Sequence, residues 1–186
     1  MGFDGNFDCK DVDSWDEYFL ELCKVVGGNS KCLSRHIAAI LVRDKSIVSS
    51  GYNGPPRGVD SCSKRHQVDD ALFGFYKSLD PYFDRSITTD KCPRYVLGFK
   101  SGEGLDWCVA GHAERNSLIN AARLGVCTKD TTMYMTCGIP CTPCLVEIIN
   151  AGVSEIVVTN LDYYDLSGEY VLKNSNLKYR LYDFLE

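Results

Sequence analysis

The sequence predicts an α/β protein: a five-stranded mixed sheet with helices on its faces, in a three-layer α/β/α arrangement. Three observations lead to it. Helix-period and strand-period segments alternate through the second half of the chain. Two strands joined by a short turn precede them. The length, 186 residues of which 45% are hydrophobic and 24% charged, suits one domain with a substantial core and no need of cross-links. Residues 1–186 are therefore read as a single domain.

Taken in order, residues 1–13 are acidic and read as a loose arm. Ser14-Trp15-Asp16-Glu17 has the S-x-x-E form of a capping box, and Trp15, Phe19, Leu22, Cys23 and Val26 recur at helical spacing until Gly27-Gly28. A helix over about 14–26 follows. Ile37 to Val42 and Ile47 to Tyr52, parted by Asp44-Lys45-Ser46, read as a β-hairpin. From Asn53 to Gly111 the pattern breaks: Gly54-Pro55-Pro56, Gly58, Pro81, Pro93, Gly98, Gly102 and Gly104 punctuate it, and only Ala71 to Leu79 reads as helix. An irregular insert of that length needs something to order it. His112 to Leu124 then reads as a helix stopped by Gly125, Thr132 to Thr136 as a strand, Cys141 to Ala151 as a helix stopped by Gly152, Glu155 to Thr159 as a buried strand, and Lys178 to Tyr182 as a closing strand.

Composition excludes several classes of function. Lys and Arg number 20 against 25 Asp and Glu, a net charge of −5, and the basic residues are scattered, which disfavours a nucleic-acid binder living off phosphate contacts. No apolar run approaches the roughly 18 residues of a membrane helix. The acidic start has no basic segment followed by an apolar one, so no secretory signal is read and a cytoplasmic protein is expected. Neither membrane nor nucleic acid is expected as a partner. In a reducing compartment the ten cysteines become the leading clue, because clustered thiols there serve metals or catalysis.

Two motifs carry the chemistry. His112-Ala113-Glu114 and Pro140-Cys141-Thr142-Pro143-Cys144 each open a predicted helix, with a strand between them. Cys141 and Cys144 are one helical turn apart, and a helix N-terminus favours thiolate. With one imidazole they make a three-ligand zinc site whose fourth position is open, the arrangement of a catalytic rather than a structural zinc. Water in that position has its pKa lowered to about 7. Glu114 stays beside the metal without sharing its coordination direction and can move protons there. His-x-Glu with Pro-Cys-x-x-Cys is the signature of zinc deaminases, in which activated water attacks the amidine carbon of a base and the glutamate is general acid and base. A lone Cys-x-x-Cys also fits redox pairs and structural zinc; it leaves His112 and Glu114 unexplained.

At this point the chain resembles the deoxycytidylate (dCMP) deaminases of phages and bacteria, over most of residues 14–165. The resemblance rests on Ser30-Lys31-Cys32, Gly51-Tyr52-Asn53-Gly54 with Pro56 and Gly58, His112-Ala113-Glu114 with Asn116, Tyr134 with Thr136, and Pro140-Cys141 with Cys144. It implies the cytidine-deaminase-like fold and hydrolysis of dCMP to dUMP and ammonia, feeding dTTP synthesis. It also implies activation by dCTP, inhibition by dTTP, Mg2+ accompanying the nucleotide effector, and a homo-oligomer, often a hexamer, in the cytoplasm (the host's, for a phage protein). A dCMP/dCTP bifunctional enzyme remains an alternative, as does a nucleic-acid cytidine deaminase, against which the net charge argues. A noncatalytic zinc-held interaction module is disfavoured by the intact Glu114.

A second cysteine set falls in the irregular region. Cys32, Cys62, Cys92 and Cys108 would close a structural zinc site, and a loop of this kind gains most from a metal clip. Cys62 to His66 has Cys-x3-His spacing, so His66 is the alternative to Cys92 as fourth ligand. In the resembling enzymes, Cys32 and Cys62 stand where structural-zinc cysteines stand, and Cys108 matches a further such position. Ser34 and Asn53, at the ends of adjacent strands, are expected to touch the nucleotide's sugar or phosphate; Ala113 is expected in the substrate site too, and the resemblance implies an aromatic residue there at Tyr163 or its neighbour Tyr164. Tyr52, Asn53 and Gly54 cover the effector region by resemblance, and Arg123 matches a position of subunit contact and nucleotide regulation. For Asn53 the competing role is turn chemistry before Gly54, and for Arg123 a solvated helix end.

Overall fold

Period-two alternation along the central strands places helices on both sides of the sheet. The computed structural model describes residues 14–87, 90–100 and 102–183; the predicted arm, residues 1–13, lies outside them. Strand β1 (Ala38–Arg43) sends Ala39 and Leu41 to one face and Ala38, Ile40 and Val42 to the other. Strand β3 (Thr132–Met135) divides Met133 and Met135 from Tyr134 in the same way, and β4 (Glu155–Val158) divides Ile156 and Val158 from Val157. All of these side chains are buried.

The sheet order is β2-β1-β3-β4-β5, with β2 spanning Ser46–Tyr52 and β5 Lys178–Leu181. Strand β1 runs antiparallel to both β2 and β3, whereas β3, β4 and β5 are parallel. The sheet is mixed and five-stranded, as expected. Asp44 and Lys45 turn the β1–β2 hairpin with φ of 51° and 60°, the left-handed pair that matches strand twist.

Helix α1 (Trp15–Gly27) covers one face alone, with Phe19, Leu20 and Cys23 inward, and Ser14 Oγ accepts the Glu17 N–H at 3.1 Å at its start. Its first turn is tied to the far edge of the sheet: Arg180 pairs with the buried Asp16, which also accepts the Asp183 N–H at 2.7 Å. The other face carries α5 (Ala113–Leu124), α6 (Thr142–Asn150) and α7 (Leu166–Lys173). Helix α5 lies so close to β2 that a Cβ on Gly51 would stand 2.3 Å from the Ser117 nitrogen and 2.6 Å from the Ala113 oxygen. Asn120 and Asn116 seal this contact by donating to Ser50 O and Tyr52 O, each at 2.8 Å.

Two elements differ from expectation. Among its described residues the insert holds three helices rather than one: α2 (Cys62–Val68), α3 (Asp70–Leu79) and the single turn α4 (Pro93–Val96), with 3-10 turns at Arg85–Ile87 and Leu105–Trp107. Helix α2 escapes sequence periodicity because its buried residues are Cys62 and His66, not aliphatics. Helix α7 escapes it because Leu166 and Tyr170, its obvious apolar residues, are exposed and Leu172 alone supplies a large buried side chain.

Candidate active site

His112 is the N-cap of α5 and Cys141 the N-cap of α6, so two helix starts meet where β1 begins and β3 ends. Neither residue caps its helix with its own side chain, which leaves the imidazole and the thiol free to face each other. His112 Nδ1 lies 3.5 Å from Cys141 Sγ and 3.3 Å from Cys144 Sγ. Among the described residues this is the one group of three or more candidate ligand atoms mutually within 4.8 Å. A tetrahedral zinc with ordinary Zn–S and Zn–N bonds holds sulfur and nitrogen about 3.6 Å apart, so the donor set fits zinc in both chemistry and spacing.

Charge agrees with geometry. Hydrogen bonds from Cys144 and then from His112 draw the Cys141 thiol down to about 4 against its burial. The Cys141 hydrogen bond and burial push Cys144 up, so the pair shares one proton between them; a divalent cation displaces such a proton. The His112 imidazole is raised, chiefly by its bond to Cys141. Glu114, only 5% exposed, lines the same cleft, and burial raises its carboxyl above the usual range.

The cleft has a volume of about 360 Å³, within the range of small-molecule sites. Residues 13–160 match the model of the cytidine and deoxycytidylate deaminase zinc-binding region, across both metal-ligand motifs. The chain belongs to this family. It is 30% identical over 173 residues to the deoxycytidylate deaminase of Saccharomyces cerevisiae, covering 93% of this chain and 46% of that one. It is 30% identical over 161 residues to the deoxycytidylate deaminase of Mus musculus, covering 84% and 72%. The chain thus spans about half the length of its yeast relatives and most of the mouse family member. The structure of cyanophage S-TIM5 dCMP deaminase in complex with dCMP and dUMP superposes with a TM-score of 0.59 at 20% identity, covering 89% of this chain and 94% of that one, which shows the shared family fold.

The remaining expected site residues divide. Ser34, Asn53, Ala113 and Tyr163 all line the cleft. Asn53, however, is buried and already knots the approach to β1: its Oδ1 accepts from Ser30 Oγ (2.8 Å) and Ile37 N (2.9 Å), and its Nδ2 donates to Arg35 O (2.8 Å). Ser34 Oγ sits 2.8 Å from the Tyr95 hydroxyl, joining β1's approach to the insert. Tyr163 is half-buried and Tyr164 lines the cleft beside it. Tyr52 is 42% exposed, and Gly54 forms a two-bond bridge with Gly111 that closes the insert at its base. Arg123 is exposed in the last turn of α5, outside the cleft lining.

Cys32 and the three insert thiols share a neighbourhood without drawing as close as the first set. Burial pushes Cys62 up to about 11, and the charges of Cys92, Cys108 and Cys32 add to it. His66 is engaged elsewhere: it is 2% exposed, with Nε2 2.7 Å from Lys91 O and Nδ1 3.2 Å from the Tyr76 hydroxyl.

Sequence reasoning missed three residues. Arg35 and Arg94 line the cleft, and neither stands in a recognisable motif. Asp165, which ties α6 to α7, was detectable only as an N-cap type ahead of a helix that itself went unread.

Proposed function

We propose that the protein hydrolyses dCMP to dUMP and ammonia, with zinc held by His112, Cys141 and Cys144 and with Glu114 as the proton carrier. The convergence of those three ligand atoms beside a buried carboxylate in one cleft carries this reading, and the family's dCMP deaminases support the choice of base and sugar. Zinc, when bound, supplies a water ionisable near neutral pH and polarised for attack on the ring carbon bearing the amino group. Glu114 takes the proton that this water loses and gives it to N3 of cytosine. It then carries the second proton to the 4-amino nitrogen, which departs as ammonia while the carbonyl of uracil forms. Burial raises the Glu114 carboxyl above its ordinary range, the direction that suits a group acting as both acid and base. Ala113 and Tyr163 are assigned to the walls of the substrate cleft, and Ser34 and Asn53 to its floor near the sugar.

The same reading assigns a structural zinc to Cys32, Cys62, Cys92 and Cys108, clipping the 53–111 insert within a single deaminase domain. The grouping of Cys92, Cys108 and Cys32 close enough for their charges to act on Cys62 favours this, and the engagement of both His66 ring nitrogens favours Cys92 as fourth ligand. By family resemblance the proposal extends to supply of dUMP for dTTP synthesis, activation by dCTP with Mg2+, inhibition by dTTP, a homohexamer, and a cytoplasmic site of action. Tyr52, Asn53, Gly54 and Arg123 are the residues assigned to effector and subunit contact.

Ammonia release from dCMP, CMP, deoxycytidine, dCTP and a cytosine-containing oligonucleotide, each with and without dCTP and dTTP as effectors, tests the proposal. Preferential turnover of dCMP is expected. Turnover of the oligonucleotide alone would overturn it.

A further inference from the structure

Arg94 is 7% exposed, yet it lines the cleft that contains His112 and Glu114. It stands in α4 of the insert, far in sequence from either metal motif. Its Nη1 donates to the Glu103 carbonyl at 2.7 Å, and its Nε is buried with no partner. Among the described residues no carboxylate pairs with it. A guanidinium keeps its charge throughout the physiological pH range and costs several kcal/mol to bury unpaired, roughly, unless an anion meets it.

The space beside Arg94 supplies the other half. Arg35 lines the same cleft from the approach to β1, and its positive charge reaches Glu114 and Cys137. The insert and the β1 approach are joined there by the Ser34–Tyr95 hydroxyl contact, which places α4 against the cleft wall. The acidic groups of the lining are Glu114, at the metal ligands, and the exposed Asp162.

We infer that Arg94, assisted by Arg35, is the anion-reading residue of the cleft and selects substrates carrying a 5′-phosphate over the free nucleoside. This rests on the nucleotide reading proposed above and deepens it, by naming the residue that makes the site a nucleotide site. A guanidinium offers a planar fork of donors suited to phosphate oxygens. Nη1 makes a single backbone bond, and Nη2 makes none among the described residues and, unlike Nε, is not sealed from solvent, so the outer end of that fork is open to an anion.

The test is calorimetric binding of dUMP and deoxyuridine to the zinc-loaded full chain, in wild type, Arg94→Gln and Arg94→Lys, with thermal melts alongside. Wild type is expected to favour dUMP over deoxyuridine. Arg94→Gln should lower that ratio about 10- to 100-fold, with deoxyuridine affinity unchanged, and Arg94→Lys should restore part of it. An unchanged ratio in Arg94→Gln overturns the inference. Equal loss of both ligands in Arg94→Gln and Arg94→Lys also overturns it, by showing a purely structural role, as does a wild type that does not distinguish the two ligands. If Arg94 controls phosphate discrimination but dCMP releases no ammonia, the anion subsite stands and the proposed reaction falls.

Discussion

The carboxylate of Asp165 ties the first turn of α6 to the first turn of α7: it accepts the Thr142 N–H at 3.1 Å and the Thr142 hydroxyl, and caps α7 through the Gly168 N–H at 2.6 Å. Thr142 lies between Cys141 and Cys144, so this carboxylate sets the turn that presents both sulfurs. The hydrogen bond from Thr142 comes first among the causes that hold the Asp165 carboxyl below its ordinary range. Asp165→Ala is therefore expected to weaken zinc at the His112 site about 10- to 100-fold, read by competition with a chromogenic chelator.

Glu114→Gln keeps the buried volume and removes the proton carrier. Deamination should fall by more than about 10⁴-fold while zinc content and melting temperature stay at wild-type levels. Retention of most activity with zinc bound would remove Glu114 from the reaction.

Stripping zinc with a strong chelator is expected to abolish turnover and to lower the melting temperature, since a zinc held by His112, Cys141 and Cys144 would join two helix starts. Metal analysis separates the two proposed sites. Cys92→Ser should reduce two zinc ions per chain to one, whereas His66→Asn should keep both and destabilise the insert through the lost Lys91 and Tyr76 contacts.

Gly51→Ala tests the closest helix–sheet approach on the metal-bearing face. The added methyl meets backbone atoms of α5 that have no freedom to move aside. A loss of about 1–3 kcal/mol or more is expected in denaturant melts, together with weakened zinc binding, because α5 begins at His112.

Acid should release the clamp between α1 and β5. Burial raises the Asp16 carboxyl, but bonds from Arg180 and the Asp183 N–H, with the Arg180 charge, outweigh it and leave the group below its ordinary value. Its folded pKa is thus depressed, so the stability it contributes is complete above the unfolded value of about 3.9 and is lost as pH falls through the folded one. Asp16→Asn should cost about 1–3 kcal/mol at pH 7, and the gap to wild type should close as both are titrated toward pH 2. A gap that stays constant with pH would show that the pair contributes nothing electrostatic.

What the sequence by itself determined was whatever repeats or clusters within one turn or one strand. The alternating strands, the capped helix at Ser14, the stops at Gly125 and Gly152 and the ligand pattern of His112, Cys141 and Cys144 are all local in this sense, because side-chain period and metal-ligand spacing act over a few residues. Tertiary structure alone decided the rest. Helices α2 and α7 bury too few aliphatic side chains to show a helical stripe, and Asp16 finds Arg180 across 164 positions of sequence. It also decided which contacts the expected residues make: folding joins the Asn53 amide to Ser30, Ile37 and Arg35 and sets the His66 ring nitrogens against Lys91 O and the Tyr76 hydroxyl. Arg94 has no motif around it, and only the packing of α4 against the cleft brings a buried guanidinium, without a carboxylate partner among the described residues, into the cleft that holds His112, Cys141 and Glu114. A buried charge without a counter-charge is costly, and whether one arises depends on packing between segments distant in sequence.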